Sequence, residues 1–121
     1  MRFISEVGFT VKAGEEEAHQ RWWEQNEAAL AASTPQGVKY LGTFVMVFTS
    51  EKQSGFYKTY LELDSYGAMD RLAAANRDPD SEFGRLLKQN SAFTDYDLAA
   101  PWSNGLYKTV VDASIFDQPS S

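Results

Sequence analysis

Residues 2–30, RFISEVGFTVKAGEEEAHQRWWEQNEAAL, change period halfway, and that change decides the fold. Over residues 2–12 the pattern alternates. Phe3, Val7, Phe9 and Val11 fall on one side, and Ile4, Glu6, Gly8 and Thr10 on the other. Successive side chains of a strand project to opposite faces, so this is a strand with one apolar and one mixed face. After Ala13 and Gly14 the spacing becomes helical. Glu15, Glu16 and Glu17 form the acidic first turn that a helix dipole favours. Ala18, His19, Trp22, Trp23, Asn26, Ala29 and Leu30 then recur at helical spacing as an inward stripe, with Glu16, Glu17, Gln20, Arg21, Glu24, Gln25 and Glu27 outward.

The rest of the chain continues the rhythm. GVKYLGTFVMVFTS (37–50) is a strand apolar on both sides, with Tyr40, Phe44, Met46 and Phe48 on one and Leu41, Val45 and Val47 on the other. Such a strand is covered on both faces. SEKQSG (50–55) reads as a hairpin loop. FYKTYLELD (56–64) is the third strand, with Tyr57, Thr59, Leu61 and Leu63 opposite Phe56, Lys58, Tyr60 and Glu62. A second helix over residues 64–78, capped by Asp64 or Ser65, carries Tyr66, Met69, Leu72 and Ala73 inward. Pro79 breaks it and starts a third, short helix with Phe83, Leu86 and Leu87 inward. Residues 94–105 read as a long loop, and LYKTVVDASIF (106–116) as the last strand. The order β-α-β-β-α-β with a split second helix is the ferredoxin-like pattern: an α+β fold whose four-stranded antiparallel sheet has strand order 4-1-3-2, with helices on one face. Residues 1–116 form a single domain and 117–121 a flexible tail.

Composition narrows the partners. The chain has 121 residues, enough for one self-sufficient core. It has no cysteine, which removes thiolate chemistry and cysteine–zinc sites and fits a cytoplasmic location. The net charge of −6 without a basic stripe argues against nucleic acid. No apolar run approaches the roughly 18 residues of a membrane helix. A single histidine and no calcium-type loop leave no metal site, and no phosphate or dinucleotide fingerprint is present.

The sheet face away from the helices bears Ile4, Tyr60 and half of the apolar second strand, too much to leave wet. A second copy packed sheet to sheet would cover it. Glu6, Lys58 and Lys108 are expected side by side there as a charge ladder.

Three segments carry a family likeness: EVGFTVKAGEEEAHQRWWEQNEAAL, GVKYLGTFVM and YKTYLELDSYGAMDRLAAANRDPDSEFGRLL. They resemble the dimeric α+β barrel proteins, in pattern most of all the NIPSNAP-like and antibiotic-biosynthesis-monooxygenase-like ones. The shared punctuation is Asp64, Ser65, Asp70, Arg71, Asp78, Pro79 and Phe83. The resemblance implies a homodimer, with a pocket between helices and sheet. It spans cofactor-free monooxygenases, haem degraders, small isomerases and members without known activity. Residues 65–92 hold no histidine where the haem degraders place their axial ligand, so no cofactor is expected.

His19 is the candidate catalytic group, since histidine titrates near neutrality. Trp22, Trp23, Asn26 and Tyr57 are the candidate ligand-binding residues. A structural role competes at each position: a histidine at the core edge, a tryptophan anchor, a strand tyrosine favoured by propensity. Tyr40, Tyr60 and Tyr107 share that last ambiguity. Glu6 and Glu62 read either as paired carboxylates or as ladder partners of Lys58 and Lys108. Two functions follow: a small cofactor-independent enzyme, monooxygenase- or isomerase-like, acting on a hydrophobic or aromatic metabolite, or a non-catalytic dimer that binds a small ligand or a partner.

Overall fold

The computed structural model describes residues 2–48, 56–97 and 102–111, and of Phe56 the backbone alone. The expected loop at 50–55 and the tail lie outside these. The elements are β1 (Phe3–Thr10), α1 (Glu16–Ala32), β2 (Val38–Val45), β3 (Phe56–Leu63), α2 (Ala68–Arg77), α3 (Glu82–Ser91) and β4 (Trp102–Lys108). The sheet order is β2-β3-β1-β4 with every pairing antiparallel, the ferredoxin-like α+β arrangement.

Pairing places Val38, Leu63 and Phe3 in one row under the helices, followed by Tyr40, Leu61 and Ser5, then Thr43, Thr59 and Val7, then Val45, Tyr57 and Phe9. Two apolar clusters hold the helices down. Val38, Leu61 and Leu63 pack with Ala68 of α2, and Leu30 of α1 packs with Phe83 and Leu86 of α3.

Two expectations about strand phase fail. In β2 the pairing slips between Tyr40 and Gly42, leaving Leu41 as the extra residue of a bulge. Tyr40 therefore faces the helices while Phe44 faces away, on opposite sides rather than one. Gly42 takes φ +148°, and the Phe44 ring folds over it, 2.9 Å from where a Cβ would stand. The last strand begins at Trp102 and ends at Lys108, earlier than its β-branched residues suggest. Burying Trp102 against Phe9, ring centroids 5.5 Å apart, overrides the turn-like composition of Ser103, Asn104 and Gly105. This register puts Lys108 opposite Phe3, on the helix side, and Gly105 opposite Glu6. The ladder thus loses Lys108. Glu6 keeps Lys58, at 3.1 Å, and gains the Tyr60 hydroxyl, which donates at 3.0 Å; Glu62 pairs with Arg2.

The helix boundaries show what the family-like punctuation does. α2 starts at Ala68, and neither Asp64 nor Ser65 caps it through its side chain. Asp64 instead pairs with Arg71 at 3.6 Å, and Arg71 Nε donates to the Gln36 carbonyl at 2.7 Å. Together they clamp the α1–β2 turn at Gly37, whose φ of +83° excludes a side chain. Ser81 caps α3, its hydroxyl accepting from the Gly84 N–H at 2.9 Å. These residues hold the fold.

Candidate functional site

A cavity of about 750 Å³ lies between the sheet and the helices. Ser5, Val7, Thr59, Leu61, Trp102 and Asn104 form its floor. Met69 and Leu72 of α2, Phe83, Leu87 and Asn90 of α3, and Trp23 and Leu30 of α1 close over it. The lining is mainly apolar with a few placed polar groups, the usual make-up of a small-molecule site. Of the described residues that line it, only Arg77 and Lys88 are charged, in a chain of net charge −6. Both are exposed at the rim, and neither has an ion-pair partner among the described residues.

A second, more open cleft of about 450 Å³ lies on the other side of Trp23, lined by Glu16, Glu17, His19, Glu27, Thr43 and Tyr57 among others. Its charge is acidic where the first cavity's is basic. Trp23 borders both, and its ring stacks on Tyr40 with centroids 6.2 Å apart.

His19 is 2% exposed and caged by rings: Tyr57 at 4.7 Å, Phe93 at 5.5 Å, Phe9 at 5.6 Å and Trp23 at 6.2 Å. Its Nε2 receives the Trp23 indole N–H at 2.9 Å and lies 3.1 Å from Asn90 Oδ1. One ring nitrogen holds either a lone pair or a proton. Neutral, it accepts from Trp23; protonated, it would donate to Asn90 and repel the indole N–H. Burial lowers the His19 pKa below its ordinary value, and the Asn90 oxygen opposes that only in part.

The expected site residues separate. His19, Trp23 and Tyr57 meet around the second cleft. Trp22 and Asn26 border neither cavity. Trp22 is half-buried at the α1–α3 seam, donating to Gln89 Oε1 at 3.0 Å, and Asn26 Nδ2 donates to the Trp22 carbonyl at 2.8 Å. The buried centre of the α1 stripe is His19 and Leu30, and Ala29 is exposed. Of the strand tyrosines, Tyr57 has its pKa raised by burial and then by the charge of Glu16.

Sequence reasoning passed over polar residues of the larger cavity, among them Ser5, Thr59, Asn90 and Asn104. The signal was available for three of them. Ser5 and Thr59 interrupt the helix-facing apolar rows of β1 and β3, and Asn90 continues the α3 stripe of Phe83, Leu86 and Leu87. A polar residue in an apolar row asks for a partner or a ligand. Asn104 was hidden by the misplaced β4.

Among the described residues no three His, Cys, Asp or Glu side chains cluster as a metal site would. No helix among them is long and apolar enough to cross a membrane.

No protein-family profile matches the chain, and no curated protein matches it by sequence. Solved structures do resemble it. A NIPSNAP family protein from Agrobacterium tumefaciens superposes with a TM-score of 0.66 over 93% of this chain and 89% of its own, at 12% identity. A putative antibiotic biosynthesis monooxygenase from Nitrosomonas europaea gives 0.59 over 90% and 99%, at 11% identity. SnoaB, a cofactor-independent oxygenase from Streptomyces nogalater, gives 0.54 over 93% and 96%, at 15% identity. At such identities the likeness establishes the fold: the chain shares the ferredoxin-like architecture of NIPSNAP-family and antibiotic-biosynthesis-monooxygenase-like proteins.

Proposed function

We propose that the helix–sheet cavity binds a small, mainly apolar metabolite carrying an acidic oxygen, and that the protein acts on it as a cofactor-independent enzyme of monooxygenase or isomerase type. The observation that carries this reading is the lining itself. About 750 Å³ of mostly apolar space has cations as its only charged groups among the described residues. Such walls favour a flat hydrocarbon body and the cations an anionic end. Activity without a cofactor rests on the fold shared with SnoaB, an analogy of fold.

The test is a thermal-shift screen of aromatic carboxylates, phenols and amines. Anions should raise the melting temperature and amines should not. Arg77→Ala together with Lys88→Ala should weaken the anions' effect. Each ligand found is then incubated in air with a chelator and followed by mass spectrometry. A product that has gained one oxygen and lost two hydrogens, the second oxygen of O2 leaving as water at the substrate's own expense, supports a cofactor-independent monooxygenase, and an isobaric product an isomerase. Binding without turnover would favour a ligand-binding dimer. Equal response to amines and anions would defeat the proposed ligand class.

We also propose that the chain forms a homodimer through the helix-free sheet face. Phe44 there is 55% exposed and Tyr107 52% exposed, flanking the half-buried Glu6, Lys58 and Tyr60. Phe44→Glu should convert a dimer to a monomer in sedimentation. A wild-type monomer at micromolar concentration would overturn this mode.

A further inference from the structure

A chain of hydroxyl groups runs from the acidic cleft to the cavity. Glu27 Oε2 lies 2.7 Å from the Tyr40 hydroxyl, Tyr40 lies 2.8 Å from Thr43 Oγ1, and Thr43 lies 2.7 Å from Thr59 Oγ1. Glu27 and Thr43 line the outer cleft, while Thr59, 9% exposed, lines the cavity floor. Each hydroxyl owns one proton, and a carboxylate owns none.

That count orients the chain. Glu27 is exposed and, as a carboxylate, only accepts, so the proton between it and Tyr40 comes from Tyr40. The Tyr40 hydroxyl is placed to donate to Glu27 or to Thr43, and one proton cannot serve both. The carboxylate is the stronger acceptor and takes it, so Tyr40 has only lone pairs for Thr43, and Thr43 donates to it. Thr43 in turn has only lone pairs for Thr59, and Thr59 donates to Thr43. The one hydroxyl proton of Thr59 is committed away from the cavity. What Thr59 presents to a ligand is an acceptor and nothing else.

We infer that Glu27, from outside the cavity, sets the ligand specificity inside it: through Tyr40 and Thr43 it makes Thr59 an obligate acceptor, which selects a ligand bearing an O–H or N–H at that point. The inference rests on the cavity being a binding site. It sharpens the ligand class to an apolar, aromatic-sized body with an anionic group for Arg77 and Lys88 at one end and a hydrogen-bond donor at the other. A ligand with only an ether or carbonyl oxygen there would set two acceptors against each other with no proton between, and buried polar atoms left so are costly. Glu27, Tyr40 and Thr43 are positioning residues in this scheme; of the four members of the chain, only Thr59 touches the ligand.

Two fluorescent probes isolate the point: 6-hydroxy-2-naphthoate, which offers a donor, and 6-methoxy-2-naphthoate, which offers only an acceptor. Wild type should bind the hydroxy compound more tightly by roughly tenfold, the effect of one unmatched buried polar group. Glu27→Gln can donate or accept, so the chain can run either way and the preference should shrink. Glu27→Lys can only donate. It forces Tyr40 to donate to Thr43, Thr43 to Thr59, and Thr59 into the cavity, so the preference should reverse. Tyr40→Phe cuts the chain and should relax the preference like the Gln variant; it serves if the Lys variant fails to fold. Position 27 is exposed and outside the cavity, so a merely structural effect would weaken both probes together and leave their ratio alone. An unchanged ratio in all three variants overturns the inference while the cavity reading stands. If neither probe binds wild type, the cavity reading itself falls and takes this inference with it.

Discussion

The two faces of the sheet carry similar residues and treat them differently. On the helix-free face, polar groups satisfy one another within the sheet. Glu6 is met by Lys58 and by Tyr60, and Glu62 by Arg2. On the helix face, Ser5, Thr59 and Asn104 border open volume, and the network that does form runs sideways to an exposed carboxylate. Alternation along a strand decides only which face a residue joins. What covers that face decides whether a polar group becomes a structural pair or a ligand contact. The closed pairs read as architecture, and the open-ended network reads as a site.

The largest effect should come from emptying the helix-side core. Phe83 is 2% exposed, packed with Leu30 and Leu86. Phe83→Ala should cost about 3–5 kcal/mol, the usual range for a buried aromatic. Phe44→Ala on the opposite face should cost under about 0.5 kcal/mol at dilutions where the chain is monomeric, since surface changes usually stay within that range. At higher concentration the same change should lower the melting temperature if the proposed dimer forms, since it would bury that ring. Urea melts of both variants at two concentrations check this. Equal costs at high dilution would erase the contrast between the faces.

A middle-sized effect is expected at Glu6, the centre of the outer network. Glu6→Gln keeps the shape but removes the charge that Lys58 and Tyr60 share. The expected loss is about 1–3 kcal/mol, typical of hydrogen bonds to a charged group. The Tyr60 hydroxyl gives a second reading. Its pKa is raised first by burial, then by the hydrogen bond and charge of Glu6, with a further contribution from Tyr107. The variant should therefore let Tyr60 ionise at lower pH than in wild type, visible as an earlier phenolate band in an ultraviolet titration. An unmoved Tyr60 titration would mean that Glu6 does not hold it.

How much of this was legible in the sequence follows the same division. Element order, strand order and the helix-covered face came from periodicity, because burial imposes it directly. Phase within β2 was not legible. The bulge at Leu41 adds one residue to one strand, and only the partner strand reveals it. The register of β4 was missed for a related reason. Gly105 looks like a turn residue until Tyr107 is seen folded over it, its hydroxyl 2.9 Å from the missing Cβ position. The site was half legible. His19 and Trp23 share a helix face and do meet a cleft, but Asn90, which completes the His19 environment, lies 71 positions away in sequence. Pattern reading reports neighbours along one element, and the hydroxyl chain from Glu27 to Thr59 joins three.

The smallest expected effect is the most specific to the wall between the two clefts. His19 is held neutral chiefly by burial, with a folded pKa below the ordinary 6.5. In the unfolded chain the ring takes its proton near that ordinary value. Between the two values the unfolded state binds more protons, so stability falls as pH drops. The contribution is fully present above about pH 6.5 and is lost as pH falls through the folded value. One proton limits the slope to about 1.4 kcal/mol per pH unit. His19→Gln should remove that slope with little cost at neutral pH. An amide offers Trp23 an acceptor and Asn90 a donor at the same time, which a single ring nitrogen cannot. Subtracting the variant's stability–pH curve from that of wild type cancels the carboxylates common to both and isolates His19. Parallel curves from pH 7 to the onset of carboxylate protonation would show that His19 titrates as in the unfolded chain. The aromatic cage would then be open to water, and the wall between the acidic cleft and the cavity would be a passage.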